Sequence, residues 1–177
     1  MAAPLKRIGI AGGGAIANSH VEGLRAAGCE VIAVADPSEA ARTKMAEKYQ
    51  LKTYGMLADM LKAEQLDAVS VCAPNSLHAP LAVEALTAGK AVLCEKPPAT
   101  SMQAAVEMRD AARKAGKLLM MGFNQRFDSN AQQLDRMRRD LDASGSMEAM
   151  DRFTQQAATI LTAGRFAAAF NRARRRL

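Results

Sequence analysis

The amino-acid sequence predicts an α/β fold, a doubly wound parallel sheet. Three observations carry that expectation. Short apolar runs at residues 8–11, 31–35, 67–72, 91–94 and 118–121 alternate with longer stretches of helical pattern, as strands of a parallel sheet alternate with crossover helices. The first run leads through Gly12-Gly13-Gly14-Ala15-Ile16-Ala17, a G-x-G-x-x-A turn, straight into a helical pattern. The second run closes on Asp36, 24 residues beyond Gly12.

Residues 7–36 form the first βαβ unit. Gly12 lets the chain turn off the strand, Gly14 leaves the approach to a pyrophosphate clear, and Ala17 is small enough for the helix to pack on the strand. The helix begins with free N–H groups and the positive end of its dipole at this turn. Asp36 stands where a carboxylate accepts hydrogen bonds from ribose hydroxyls. Pro37-Ser38-Glu39 starts a helix running to about Tyr49, with Ser38 as its cap. A short strand follows at 52–54 and a short helix at 56–62. The strand at 67–72 ends in Ala73-Pro74-Asn75, and Asn75 is expected to cap a helix over 77–88 that Gly89 stops. The strand at 91–94 runs into Glu95-Lys96-Pro97-Pro98. Thr100 with Gln103 reads as a capping box for a helix to Ala115, closed by Gly116, before the sixth strand at 118–121. Beyond Gly122 the pattern changes to a loop at 123–127 and a charged helix at 129–143. After the break at Ser144-Gly145-Ser146, a helix at 147–163 carries Met150, Phe153, Ala157, Ile160 and Leu161 on one face. Residues 166–177 are Ala- and Arg-rich and are expected to fray. The domain division is thus 1–122 for the α/β domain, 123–146 for a linking loop and helix, and 147–177 for a helical, Arg-rich tail.

Composition excludes several classes. A chain of 177 residues holds one good core with an appendage, and 49% apolar with 24% charged residues is ordinary for a soluble globular protein. No apolar run reaches membrane-spanning length and the start has no apolar signal core, so the expected address is the cytoplasm, away from membranes. Cys29, Cys72 and Cys94 are odd in number and beside apolar strands, which suggests reduced thiols and no metal site. The net charge of +6 is local: five arginines follow Gly164 with no acid among them, leaving +1 on the rest. The folded part lacks basic residues interleaved with aromatics, which argues against nucleic acid as a partner.

In an open parallel sheet, ligands bind beyond the carboxyl ends of the strands. The residues there are Gly12 to Gly14, Asp36, Cys72-Ala73-Pro74-Asn75, Glu95-Lys96-Pro97 and Asn124-Gln125-Arg126, with His78 in the turn of helix after Pro74. Taken singly, His78 suits capping or packing, Lys96 a solvated loop, and Asn124 and Arg126 the bonding of backbone groups.

Four stretches taken together resemble the glucose-fructose oxidoreductase / inositol dehydrogenase / MocA (Gfo/Idh/MocA) family: residues 8–17, 66–78, 88–97 and 121–127. The most specific is Gly89-Lys90-Ala91-Val92-Leu93-Cys94-Glu95-Lys96-Pro97. The resemblance covers about 5–140 and implies a Rossmann-type domain in a nicotinamide-dependent oxidoreductase. It implies that Gly12, Gly14, Ala15 and Ile16 line the pyrophosphate and Asp36 the adenosine ribose. Pro74, Asn75, His78 and Glu95 would surround the nicotinamide half, and Lys96 would contact the reacting substrate hydroxyl. An ammonium there favours the developing alkoxide as hydride leaves the carbon. The family's second α/β domain is not recognisable after Gly145, where a helical extension stands in its place, and His20 and His78 both lie in the first domain.

The expected function is therefore hydride transfer between NAD and a secondary alcohol of a sugar or polyol, in a chain truncated after its cofactor domain and inactive by itself. NADP is disfavoured, because Asp36 offers a carboxylate where NADP carries a phosphate, and Arg42 lies inside the next helix. The reading leaves room for a homo-oligomer. Its rival is an inert dinucleotide-binding module that senses or docks. A methyl transferase with a similar glycine turn leaves Glu95-Lys96-Pro97 without a role.

Overall fold

The structure is a computed structural model that describes residues 6–123 together with Gln132, Arg136, Arg139 and Ala143, which are helical. These four fall within the helix expected at 129–143. The loop residues Asn124 to Arg126, the helix expected at 147–163 and the Arg-rich tail lie outside the described residues. The chain divides into two compact units, Met1–Gly122 and Phe123–Leu177.

The first unit is built in the order β1 (Arg7–Ala11), α1 (Ala15–Ala26), β2 (Glu30–Ala35), α2 (Glu39–Tyr49), β3 (Lys52–Tyr54), α3 (Leu57–Ala63), β4 (Ala68–Val71), α4 (His78–Thr87), β5 (Ala91–Cys94), α5 (Met102–Ala115) and β6 (Leu119–Met121). All six strands are parallel, in the order β3-β2-β1-β4-β5-β6. Sequence order reverses between β1 and β4, and in open α/β sheets ligands bind beyond the carboxyl edge at such a switch point. The doubly wound parallel sheet expected from the sequence is therefore the fold observed.

Each face of the sheet carries its own core. On one side Ile8, Ile10, Val31 and Val34 meet Ala17 and Val21 of α1 and Met45 and Tyr49 of α2. On the other, Ala33, Val69, Val71 and Val92 meet Leu57 and Met60 of α3, Ala82 and Leu86 of α4, and Met108 of α5. Burial on both faces is why the strands read as continuous apolar runs. Gly9 makes the second layer fit over β1, since a Cβ there would stand 2.7 Å from Met60 Cε and 2.8 Å from Leu66 Cδ1.

Two expected caps are corrected. Asn75 opens a single 3-10 turn, Asn75–Leu77, and α4 starts one step later at His78 with no side-chain cap. The neighbouring proline fixes the backbone, so a capping amide is not needed to turn the chain. At α5, Ser101 rather than Thr100 is the N-cap and accepts from Ala104 N–H at 3.2 Å. Gln103 turns instead to Glu107, four residues on, at 3.1 Å, so no capping box forms. Ser38 caps α2 and Gly116 ends α5 in the left-handed region, as the sequence predicts.

Candidate functional site

The carboxyl edge at β1 is shaped by three glycines with different constraints. Gly12 has φ +100°, and a Cβ on it would lie 2.7 Å from Ala73 N, so the loop after β4 leaves no room for a side chain. Gly13 donates its N–H to Asp36 Oδ2 at 2.7 Å. Gly14 is the N-cap of α1, no side chain caps that helix end, and a Cβ at Gly14 would meet nothing within 4 Å. The chain does not need Gly14 for its own packing, and the space beside it, next to Ala15 and Ile16, is open. Both of these are exposed.

Asp36 follows β2 and is held by backbone on both oxygens. Oδ2 takes the Gly13 N–H, and Oδ1 accepts from Ser38 N–H at 2.8 Å. A carboxylate has about four acceptor sites, so each oxygen keeps a lone pair for a hydroxyl. Arg42 reaches back from α2 but donates to the carbonyls of Asp36 and Pro37, each at 3.1 Å, and not to the carboxylate.

After β4, Pro74 and Asn75 are exposed, whereas His78 is only 1% exposed. Its Nδ1 lies 2.6 Å from the Pro97 carbonyl and its Nε2 2.8 Å from the Ala73 carbonyl. The ring thus ties the loop after β4 to the loop after β5. There Glu95 is buried while Lys96 is exposed, and the Lys96–Pro97 peptide is cis. The Lys96 ammonium makes no hydrogen bond or ion pair with the described residues.

One group at this edge was not singled out from the sequence. His20 of α1 places Nε2 2.9 Å from Glu95 Oε1 and Nδ1 2.7 Å from Ser70 Oγ of β4. The legible signal is helical spacing, because His20 falls on the same face as Ala17 and Val21, which pack on the sheet. Exposed Ile16, Met56 and Leu77 add apolar surface at the same strand ends.

Burial pushes the thiols of Cys72 and Cys94 up to about 12, with the Glu95 charge adding to both, so they stay protonated and unreactive. Among the described residues no cluster of His, Cys, Asp and Glu could hold a metal ion, and no helix is long and apolar enough to cross a membrane.

The model of an oxidoreductase family with an NAD-binding Rossmann fold (GFO_IDH_MocA) matches residues 6–123. D-glucoside 3-dehydrogenase of Escherichia coli is 43% identical over 106 residues, covering 59% of this chain and 30% of that protein. Inositol 2-dehydrogenase of Rubrobacter xylanophilus is 35% identical over 124 residues, covering 68% of this chain and 36% of that protein. Among solved structures, the WlbA dehydrogenase of Chromobacterium violaceum, in complex with NADH and UDP-GlcNAcA, superposes with a TM-score of 0.75. It is 32% identical and covers 80% of this chain and 41% of its own. The chain thus spans about a third of the length of the curated relatives it matches.

Proposed function

The chain belongs to the Gfo/Idh/MocA family of oxidoreductases, and from that membership we propose that it supplies the NAD site for hydride transfer to and from a secondary alcohol of a sugar or polyol. The observation that carries the proposal is the pairing of an open Gly14 with an Asp36 carboxylate fixed on Gly13. The residues fit a dinucleotide. Gly14 offers a space that a side chain would fill, α1 presents its uncapped N-terminus to a pyrophosphate, and Asp36 keeps acceptors for two ribose hydroxyls.

The bound nicotinamide supplies the hydride acceptor or donor. The protein's part is binding, orientation and charge. Gly12 and Gly14 set the phosphate turn, with Ala15 and Ile16 as its rim. Asp36 fixes the adenosine end and disfavours a 2′-phosphate, since Arg42 is occupied by carbonyls and leaves that like charge uncompensated. Pro74, Asn75, His78 and Glu95 form the opposite end of the site. Lys96 holds a cation where the alcohol oxygen gains negative charge as its proton leaves. Sugars and polyols are proposed because the named relatives are glucoside and inositol dehydrogenases.

The test is fluorescence titration of the purified chain with NADH and NADPH. NADH should bind at least about tenfold more tightly, as expected for one unrelieved charge repulsion. Equal or tighter NADPH binding would overturn the assignment of Asp36, and absence of NADH binding would overturn the site itself.

A further inference from the structure

Ser70 and His20 have no place in the binding scheme above, yet both join Glu95 in one hydrogen-bonded group whose directions follow from the tautomer of His20. An ionised Glu95 only accepts, so His20 Nε2–H donates to Oε1 at 2.9 Å while the Lys96 backbone N–H donates to Oε2 at 3.1 Å. In the Nε2–H tautomer His20 presents Nδ1 as an acceptor for Ser70 Oγ–H at 2.7 Å. The Ser70 oxygen in turn stands 3.8 Å from Cys72 Sγ, whose thiol can donate to it. Space for the carboxylate is kept by Gly122, where a Cβ would sit 3.0 Å from Oε1.

Topology says which part of a ligand this group addresses. With Asp36 on the β2 side and the phosphate turn at β1, a dinucleotide crossing the switch point brings its nicotinamide half over β4 and β5. Glu95 follows β5, Ser70 lies in β4, and His20 reaches both from beneath the phosphate turn. The group ends in buried atoms: Ser70 has no exposed surface, and beyond it lies the buried Cys72 thiol, pushed up to about 12.

We propose that His20, with its ring set by Ser70, is a positioning residue that aims the Glu95 carboxylate and the Lys96 backbone at the nicotinamide half of a bound dinucleotide. The proposal rests on the dinucleotide reading above. It makes α1 serve both halves of the ligand: its N-terminus receives the phosphates, and its second turn steadies the reacting end. The tautomer is fixed by the partner on the other nitrogen, as it is where a second group orients a working histidine.

Three measurements on the full chain test it. Long-range proton–nitrogen spectra of the unliganded protein should show the Nε2–H tautomer at His20; an Nδ1–H tautomer would overturn the proposal. In the same spectra the Lys96 amide resonance should move in His20→Phe, in the direction it moves in Glu95→Gln; an unmoved amide would overturn it even if no dinucleotide binds. The third compares NADH with ADP-ribose, which lacks nicotinamide. His20→Phe should weaken NADH about tenfold, the loss of one hydrogen bond to a charged group, and leave ADP-ribose within about twofold. His20→Gln, which returns a donor near the Nε2 position, should recover most of that loss. Equal weakening of both ligands would mark His20 as merely structural and overturn the proposal, as would unchanged NADH binding. Failure of the wild-type chain to bind either ligand would sink the dinucleotide reading instead, and the spectra would still decide the role of His20.

Discussion

Gly12 and Gly14 stand two residues apart and lack side chains for separate reasons. At Gly12 the constraint is internal, since φ is +100° and the backbone of Ala73 blocks the Cβ direction. Gly12→Ala should therefore lower stability by about 2 kcal/mol or more, read as a drop in urea midpoint with or without ligand. At Gly14 the constraint is external. Gly14→Ser supplies a better helix cap and should fold at least as stably, yet weaken NADH about tenfold or more by filling the phosphate approach. A loss of stability in Gly14→Ser would show that the open space serves packing. At the other end of the site, Lys96→Ala should leave NADH affinity within about twofold and lower kcat roughly 100-fold wherever polyol oxidation is measured. Loss of NADH binding in that variant would assign the lysine to the dinucleotide. The placement of the glycines, Asp36 and Lys96 at the carboxyl ends of strands was legible because each type is tied to a motif position. His20 and Ser70 were not, because their significance lies in contacts across 75 residues of sequence, from His20 to Glu95, and across 50, from Ser70 to His20.

At the scale of elements, the strands and helix cores were legible from periodicity, whereas helix starts were not. Ser101 and Thr100 are both good caps, and sequence alone does not say which hydroxyl meets a free N–H. The 3-10 turn at Asn75 likewise depends on how Pro74 directs the chain. Electrostatics fasten the opposite ends of the strands. Glu64, which caps α3, accepts from Lys52 Nζ at 2.7 Å and Tyr54 Oη at 2.6 Å, with Arg7 3.9 Å away. The Lys52 bond first, and then that of Tyr54, hold its carboxyl below the usual carboxylate range. A carboxyl lowered in the folded state stabilises fully above its unfolded value and loses that contribution as pH falls through the folded one. Glu64→Gln should therefore reduce the urea midpoint at neutral pH, and the gap from wild type should close under acid conditions. A gap that persists in acid would mean that shape, and not charge, holds this corner.

Across the whole unit, burial decides chemical reactivity. Cys72 and Cys94 are buried and their thiols are pushed up to about 12, while Cys29 is partly exposed. Alkylation of the native protein followed by mass spectrometry should label Cys29 and spare the other two, which should react only as the sheet opens. Rapid native labelling of Cys94 would contradict the placement of β5 between β4 and β6. The strand order has a further consequence, for inheritance. Residues 7–54 build β1 to β3 and include Asp36, while residues 68–121 build β4 to β6 and include Lys96. On the proposed reading, nucleotide preference and chemistry are thus written in two consecutive passages of the gene, which recombination can separate with a single crossover. The joint between them runs along β1 and β4, and what it asks of a donor segment includes a glycine at position 9 to clear Met60 and Leu66, a glycine at position 12 to clear Ala73, and a histidine at position 20 to meet Glu95. If Asp36 and Lys96 act as proposed, a segment that meets these conditions, exchanged between relatives, would move cofactor choice from one enzyme to another while the reacting end stays as it was.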